Sequence, residues 1–195
     1  ELLSHKGFNT DLQFAKNFGK IAVETSYRYL FTTNQQFHIR LFAGSFLYRN
    51  LNHSFFDFAL DRPTDYLFEH NYYGRSESTG IYSQQIIIAE GGFKSKLRTP
   101  FANQWLTTAN FGFNVWNWFE LYGDVGVVKN QYQSAEFLYD SGVRISLVPD
   151  FFELYFPVNS SNGWEIAQPN YGEKIRFVVT LSPQTLVRLY TRRWF

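Results

Sequence analysis

Ten charged residues sit at the polar positions of two-residue repeats along the chain. They are Arg28, Arg40, Arg144, Lys174 and Arg176 against Glu24, Glu120, Asp124, Asp140 and Glu153. Carboxylates and basic groups in such numbers invite an acid–base reading. Glu120 and Asp124, however, share one strand face four residues apart, roughly 13 Å at strand rise, too far to work as a couple. A serine nucleophile needs a nearby histidine, and Ser26, Ser45, Ser141 and Ser146 have no evident one. His5, His38, His53 and His70 lack the i, i+4 spacing of a helical zinc motif, and no HExxH string occurs. There is no glycine-rich phosphate loop or dinucleotide fingerprint either. The sequence therefore assigns no catalytic, cofactor-binding or metal-binding residue. It reads the ten charges as a structural network, five of each sign, because charges enclosed together are costly unless paired.

The elements that must position them are strands. Lys174 to Leu181 alternates Ile175, Phe177, Val179 and Leu181 with Lys174, Arg176, Val178 and Thr180. Successive side chains of a strand point to opposite faces, so one face is apolar and the other largely polar. The pattern recurs. Ile21, Val23, Thr25, Tyr27, Tyr29 and Phe31 oppose Ala22, Glu24, Ser26 and Arg28. Phe37, Ile39, Leu41 and Ala43 oppose His38, Arg40 and Gly44. Trp105, Thr107, Ala109, Phe111, Phe113 and Val115 oppose Thr108, Asn110 and Asn114. Phe119, Leu121, Val125 and Val127 oppose Glu120, Tyr122 and Asp124. Tyr139, Val143, Ile145 and Leu147 oppose Asp140, Arg144 and Ser146, and Phe152, Leu154 and Phe156 oppose Glu153 and Tyr155. Residues 7–16 alternate less cleanly, with Phe8, Thr10, Leu12 and Phe14 on one side.

Aromatic residues make up 21% of the 195, with 22 Phe, 13 Tyr and 5 Trp. That exceeds what a small soluble core packs, and it suits a lipid-facing surface with interfacial girdles. Mean hydropathy is only −0.29, and no apolar run is long enough for a spanning helix. A β-barrel gives such values because each apolar residue is followed by a polar one. Cys is absent, which excludes disulfides and thiolate ligands. Met is absent too, which reads as a processed protein or an excerpt of a longer one. A net charge of +1 gives no reason to expect nucleic acid. The fold expected is all-β: an antiparallel transmembrane barrel over residues 1–181. A soluble sandwich or lipocalin-like barrel, with the apolar face turned inward, is the alternative.

The middle decides the strand count. Residues 50–63 read as a long loop broken by Asp61-Arg62-Pro63. Tyr66, Phe68 and Tyr72 outline a weak strand over 64–74, and residues 84–97 another, with Ile87, Ala89, Phe93 and Leu97 opposite Glu90, Lys94 and Lys96. Both real gives ten strands, the preferred count; both in a loop excursion gives eight. Gly91-Gly92 would mark a bulge or bend. Val148-Pro149-Asp150 reads as a tight turn and 159–172 as a loop. Residues 182–195 form a tail. Ser182-Pro183 starts a helix, and Leu186, Leu189, Tyr190 and Trp194 are interleaved with Arg188, Arg192 and Arg193. A short interfacial helix is preferred to a final strand ending at Phe195.

Several strings bear a likeness. They are Ser83-Gln84-Gln85, Ala89 through Ser95, Asn103-Gln104-Trp105, Tyr122 through Gly126, Ser161 through Glu165, Glu173 through Phe177 and Arg192 through Phe195. Together they resemble the C-terminal barrel portion of flavobacterial gluzincin metallopeptidases similar to aminopeptidase N. The resemblance implies an outer-membrane location and an upstream zinc peptidase domain. That domain's HExxH has no counterpart in this chain, so no catalytic residue is carried over.

The expectation is a bacterial outer-membrane barrel acting as an anchor or accessory subunit, its lumen closed by paired charges. Its surroundings would be outer-membrane lipid and lipopolysaccharide, with other outer-membrane or periplasmic proteins as partners. The membrane domain of a zinc peptidase and a small solute or ion channel are the alternatives. Phe177→Arg is expected to block membrane assembly, since Arg at mid-bilayer costs about 2–4 kcal/mol. Arg176→Ala is expected to leave assembly intact unless it strands a lumen carboxylate. The membrane-inserted fraction of each variant is the readout.

Overall fold

The computed structural model describes residues 4–32, 35–62, 80–86, 89–148 and 152–179. Seven long strands form a meander: β1 (Ser4–Phe14), β2 (Phe18–Thr32), β3 (Gln35–Arg49), then, after the short pair β4 (Phe58–Ala59) and β5 (Phe101–Ala102), β6 (Trp105–Trp116), β7 (Phe119–Lys129), β8 (Glu136–Val148) and β9 (Phe152–Ser160). Each pairs antiparallel with the next. The far edge of β9 takes β10 (Gly163–Trp164) and then β11 (Arg176–Val179), which completes a nine-stranded sheet. β4 and β5 form a separate two-stranded ribbon. No α-helix occurs among the described residues.

The alternation read from the sequence is the sheet's pleat. Register puts Asn110, Asp124 and Asp140 in one cross-strand row and Asn114, Glu120 and Arg144 in another. Pro157 has no N–H to give, and it lies beside the register shift at Ser141/Gly142, where a bulge accommodates it.

Burial is inverted relative to a water-soluble sheet. Phe113, Leu121 and Phe137 are 41%, 46% and 61% exposed, while Asp124, Asp140 and Arg176 are 0%, 2% and 1% exposed. The apolar parity faces out and the polar parity faces in on β6, β7 and β8.

The buried face is not empty, and it is not polar throughout. The loop between β3 and β6 folds back against it. Leu60, Phe93 and Leu97 pack with Phe42, Leu106, Val128 and Leu138 in a compact apolar core. The inner positions are therefore apolar toward the loop-bearing ends of the strands (Ala22, Phe42, Leu106, Val128, Leu138). They are polar or charged farther along (Asn110, Glu120, Asp124, Arg144).

Residues 89–97 form no strand, contrary to the expectation for 84–97. Ile81–Gln84 is a 3-10 turn, and Gln85 makes one parallel bridge to Phe177. The two glycines explain the departure. Gly91 lies so close to Leu60 that a Cβ would sit 2.7 Å from that residue's backbone, and Gly92 has φ +70°. The chain bends there instead of continuing a ladder. The weak strand at 64–74 and the tail from 182 lie outside the described residues, as do Pro149 and Asp150. β2 begins at Phe18, so the turn between the first two strands is 15–17.

The two ends of the meander differ. At one end strands are joined by 33–34, Asn117-Trp118 and 149–151. At the other they are joined by 50–104, 130–135 and 161–175, besides the short 15–17.

Phe93→Ala should cost about 3–5 kcal/mol by removing the ring at the centre of the inserted core. Urea unfolding in lipid vesicles should show the lowered midpoint.

Candidate functional site: a buried charge network around an inserted segment

The inner face holds three groups of charges. In the first, Arg40 on β3 donates from Nη2 to Glu24 Oε2 on β2 at 2.7 Å. Its Nη1 reaches Asn110 Oδ1 and the Glu90 carbonyl, both at 2.9 Å. Neighbouring strands bring Arg40 and Glu24 near because Glu24 and Phe42 are register partners. Glu90 turns back: its Oε2 accepts from the Ala59 N–H at 2.8 Å, and Oε1 lies 3.9 Å from Lys20 Nζ. A cavity of about 310 Å³ lies between this group and β1, lined by Asp11, Gln13, Lys20, Glu24, Arg40, Phe58 and Glu90 among others.

The second group is a carboxylate–guanidinium bridge. Arg144 donates to Glu120 at 2.6 Å and to Glu153 at 3.2 Å, and the Tyr155 hydroxyl donates to Glu153 at 2.7 Å. Cross-strand register sets Glu120 opposite Arg144 and Ser146 opposite Glu153. His38 Nδ1 stands 3.8 Å from Glu120. Glu120 is 3% exposed, so its charge depends on Arg144.

The third group grips the inserted segment. Asp124 and Asp140 face each other across β7 and β8. Two carboxylates so placed repel unless cations or N–H groups intervene. Lys94 Nζ lies 3.1 Å from Asp124 Oδ2, and Asn110 Nδ2 donates to Asp124 Oδ1 at 2.8 Å. Asp140 Oδ2 accepts from the backbone N–H of Lys94 at 2.8 Å and of Ser95 at 2.5 Å. Arg176, the largest fully buried side chain among the described residues, donates to the carbonyls of Lys94 and Asp61 at 3.0 Å and of Gln85 at 3.2 Å.

The ten sequence-nominated charges thus divide. Glu24–Arg40 and Glu120–Arg144–Glu153 pair across strands. Asp124, Asp140 and Arg176 turn to the inserted segment instead. Arg28 is exposed on β2. Lys174 is not on a strand at all: it follows the 3-10 turn Tyr171–Glu173, with its N–H on the Tyr171 carbonyl. It donates from Nζ to Glu165 and to Gln168 in the loop, both at 2.5 Å. The expectation for Arg176→Ala is sharpened accordingly, since among the described residues the variant leaves three carbonyls without this donor.

Sequence reasoning missed Lys94, Asn110 and Asp61, whose carboxylate accepts from the Leu97 N–H at 2.9 Å. Asn110 was marked as polar-face but not as a link, and Asp61 was hidden in a turn signal. No metal-holding group of three His, Cys, Asp or Glu occurs among the described residues.

No family model, curated protein or solved structure matches the chain.

Arg144→Leu should destabilise the fold by about 3–5 kcal/mol, because it takes the guanidinium away from the buried Glu120 and the half-buried Glu153. Adding Glu120→Gln and Glu153→Gln should restore most of that loss; denaturant midpoints of the single and triple variants test it. A second expectation concerns pH. Burial pushes the Glu165 carboxyl up, but hydrogen bonds from Lys174, Ser160 and Asn162 outweigh this and hold its pKa below the ordinary 4.5. A depressed carboxylate contributes stability that is present above its unfolded pKa and lost as pH falls through the folded one. Hydrogen exchange in 161–174 should therefore accelerate as pH drops below about 4.5, and Lys174→Met should remove that dependence.

Proposed function

We propose that this chain is an integral β-barrel of the bacterial outer membrane, acting as an anchor or accessory subunit with its interior closed. The observation that carries this reading is the inverted burial. Leu121 and Phe137 are exposed on the face opposite buried Asp124 and Asp140. In water, such an arrangement sacrifices apolar burial and desolvates charges at once. Against lipid, the outer face needs no further cover, and the closed meander would leave no unpaired edge.

Strand lengths support it. Eleven to fifteen residues in β1–β3, β6 and β7 suffice to cross a hydrocarbon layer at the usual tilt, which takes roughly 9–11. Rings collect near the strand ends: Trp116, Trp118 and Phe31 at one, Trp105, Tyr48 and Phe14 at the other. Interfacial girdles have this placement. The short-turn end would then face the periplasm and the long-loop end the exterior. Partners on this reading are lipid and lipopolysaccharide around the wall and other envelope proteins at the loops. The likeness to metallopeptidase barrels adds one expectation within the same reading: an HExxH-bearing segment upstream in the full-length gene.

The closed interior, not a channel, is favoured by the inserted segment and its apolar core across the sheet's inner face. The purified chain, reconstituted in a planar bilayer, should carry no steady current. A stable open-channel conductance would overturn the closed reading. Extraction from vesicles by alkaline carbonate would overturn the membrane reading itself.

A further inference from the structure

The hydrogen bonds to the inserted segment have an unusual distribution. Wall side chains hold it almost wholly by its main chain. Arg40 takes the Glu90 carbonyl, Asn110 takes that of Gly91 at 3.1 Å, and Arg176 takes those of Gln85 and Lys94. Asp140 takes two consecutive N–H groups, of Lys94 and Ser95. Among the described residues two ion pairs read charged side chains, Lys94 to Asp124 and, more loosely at 3.9 Å, Glu90 to Lys20. One of the residues held, Gly91, has no side chain to read.

We propose that this polar row is a peptide-binding site and that the chain's own residues 89–97 occupy it as a resident ligand. The ligand class is a non-helical peptide segment, recognised through its amides, with a basic residue opposite Asp124. The inference rests on the barrel reading, because that reading makes the row the wall of an enclosed interior.

The wall offers both donors and acceptors, as a peptide main chain requires. Arg40, Asn110 and Arg176 supply N–H groups to carbonyls, and Asp140 supplies oxygens to amides. Charge-assisted bonds of this kind are the stronger ones, and here those of Asp140 and Arg176 are buried. The apolar contacts of Phe93 and Leu97 add affinity without demanding one sequence. A competing peptide with the same main-chain pattern would therefore meet a ready-made site once the resident segment left.

The test uses the full chain folded in lipid vesicles and a fluorescein-labelled peptide with the sequence of residues 85–98, capped at both ends. Lys94→Glu sets a carboxylate against Asp124 and Asp140 and should expel the resident segment while leaving the wall intact. This variant should bind the peptide at least tenfold more tightly than wild type. Adding Asp140→Asn should abolish the gain. N-methylation of the peptide at the Lys94 and Ser95 positions should weaken binding at least tenfold, whereas Ser95→Ala in the peptide should not. Should Lys94→Glu fail to fold, Gly91→Val expels the segment by its clash with Leu60 and takes its place in the assay.

Folded Lys94→Glu or Gly91→Val protein that gains no affinity overturns the proposal. So does binding that ignores both Asp140→Asn and N-methylation. Heat-modifiable migration and carbonate extraction of the same samples report on the barrel separately, so a failed site and a failed barrel give different results.

Discussion

The structure turns on two facing carboxylates that have no water to face. Asp124 and Asp140 are register partners on β7 and β8, both essentially inaccessible. Left alone they would repel each other and each would carry the full cost of an uncompensated buried charge. They are tolerable because a segment from the β3–β6 loop brings a lysine and two amide N–H groups to them. The insertion and the acidic pair thus require each other. Removing either leaves buried polar groups unsatisfied, a larger loss than the mean value of the bonds themselves.

From that clamp the remaining features follow. The segment cannot reach the acidic pair without its own apolar residues meeting the wall, so Phe93, Leu97 and Leu60 form a core with Phe42, Leu106 and Val128. That core seals one half of the inner face and leaves the other to Glu120, Arg144 and Glu153. The division separates two tasks along the same strands. Apolar packing contributes cohesion, while the charged half contributes register, since a slip of one residue would turn every carboxylate outward.

Much of this was legible in the sequence. The strands carrying Phe119 through Val127 and Trp105 through Val115 show unbroken alternation, and their inward residues are those the alternation marks. Legibility ended where the period did. Residues 84–97 hold enough alternating residues to imitate a strand, but Gly91 packs against the Leu60 backbone and Gly92 takes a left-handed φ, and neither can be seen without the neighbouring chain. Lys174 imitates a strand position in the same way; its neighbours Tyr171–Glu173 turn, and Glu165 captures it. The pairing of charges was readable as a balance of signs. Their actual partners were not, because the groups that Asp140 and Arg176 meet among the described residues include main-chain N–H and C=O groups, which nearly every residue possesses and no pattern singles out.

The most direct test of the whole arrangement uses the absence of cysteine, which makes every introduced thiol unique. Single cysteines along Phe119–Lys129 of β7, labelled with bimane, can be read for quenching by brominated lipid in reconstituted vesicles. The account predicts quenching at positions 121, 123 and 125 and none at 120, 122 and 126. Quenching with no two-residue period, or with the opposite parity, would contradict it.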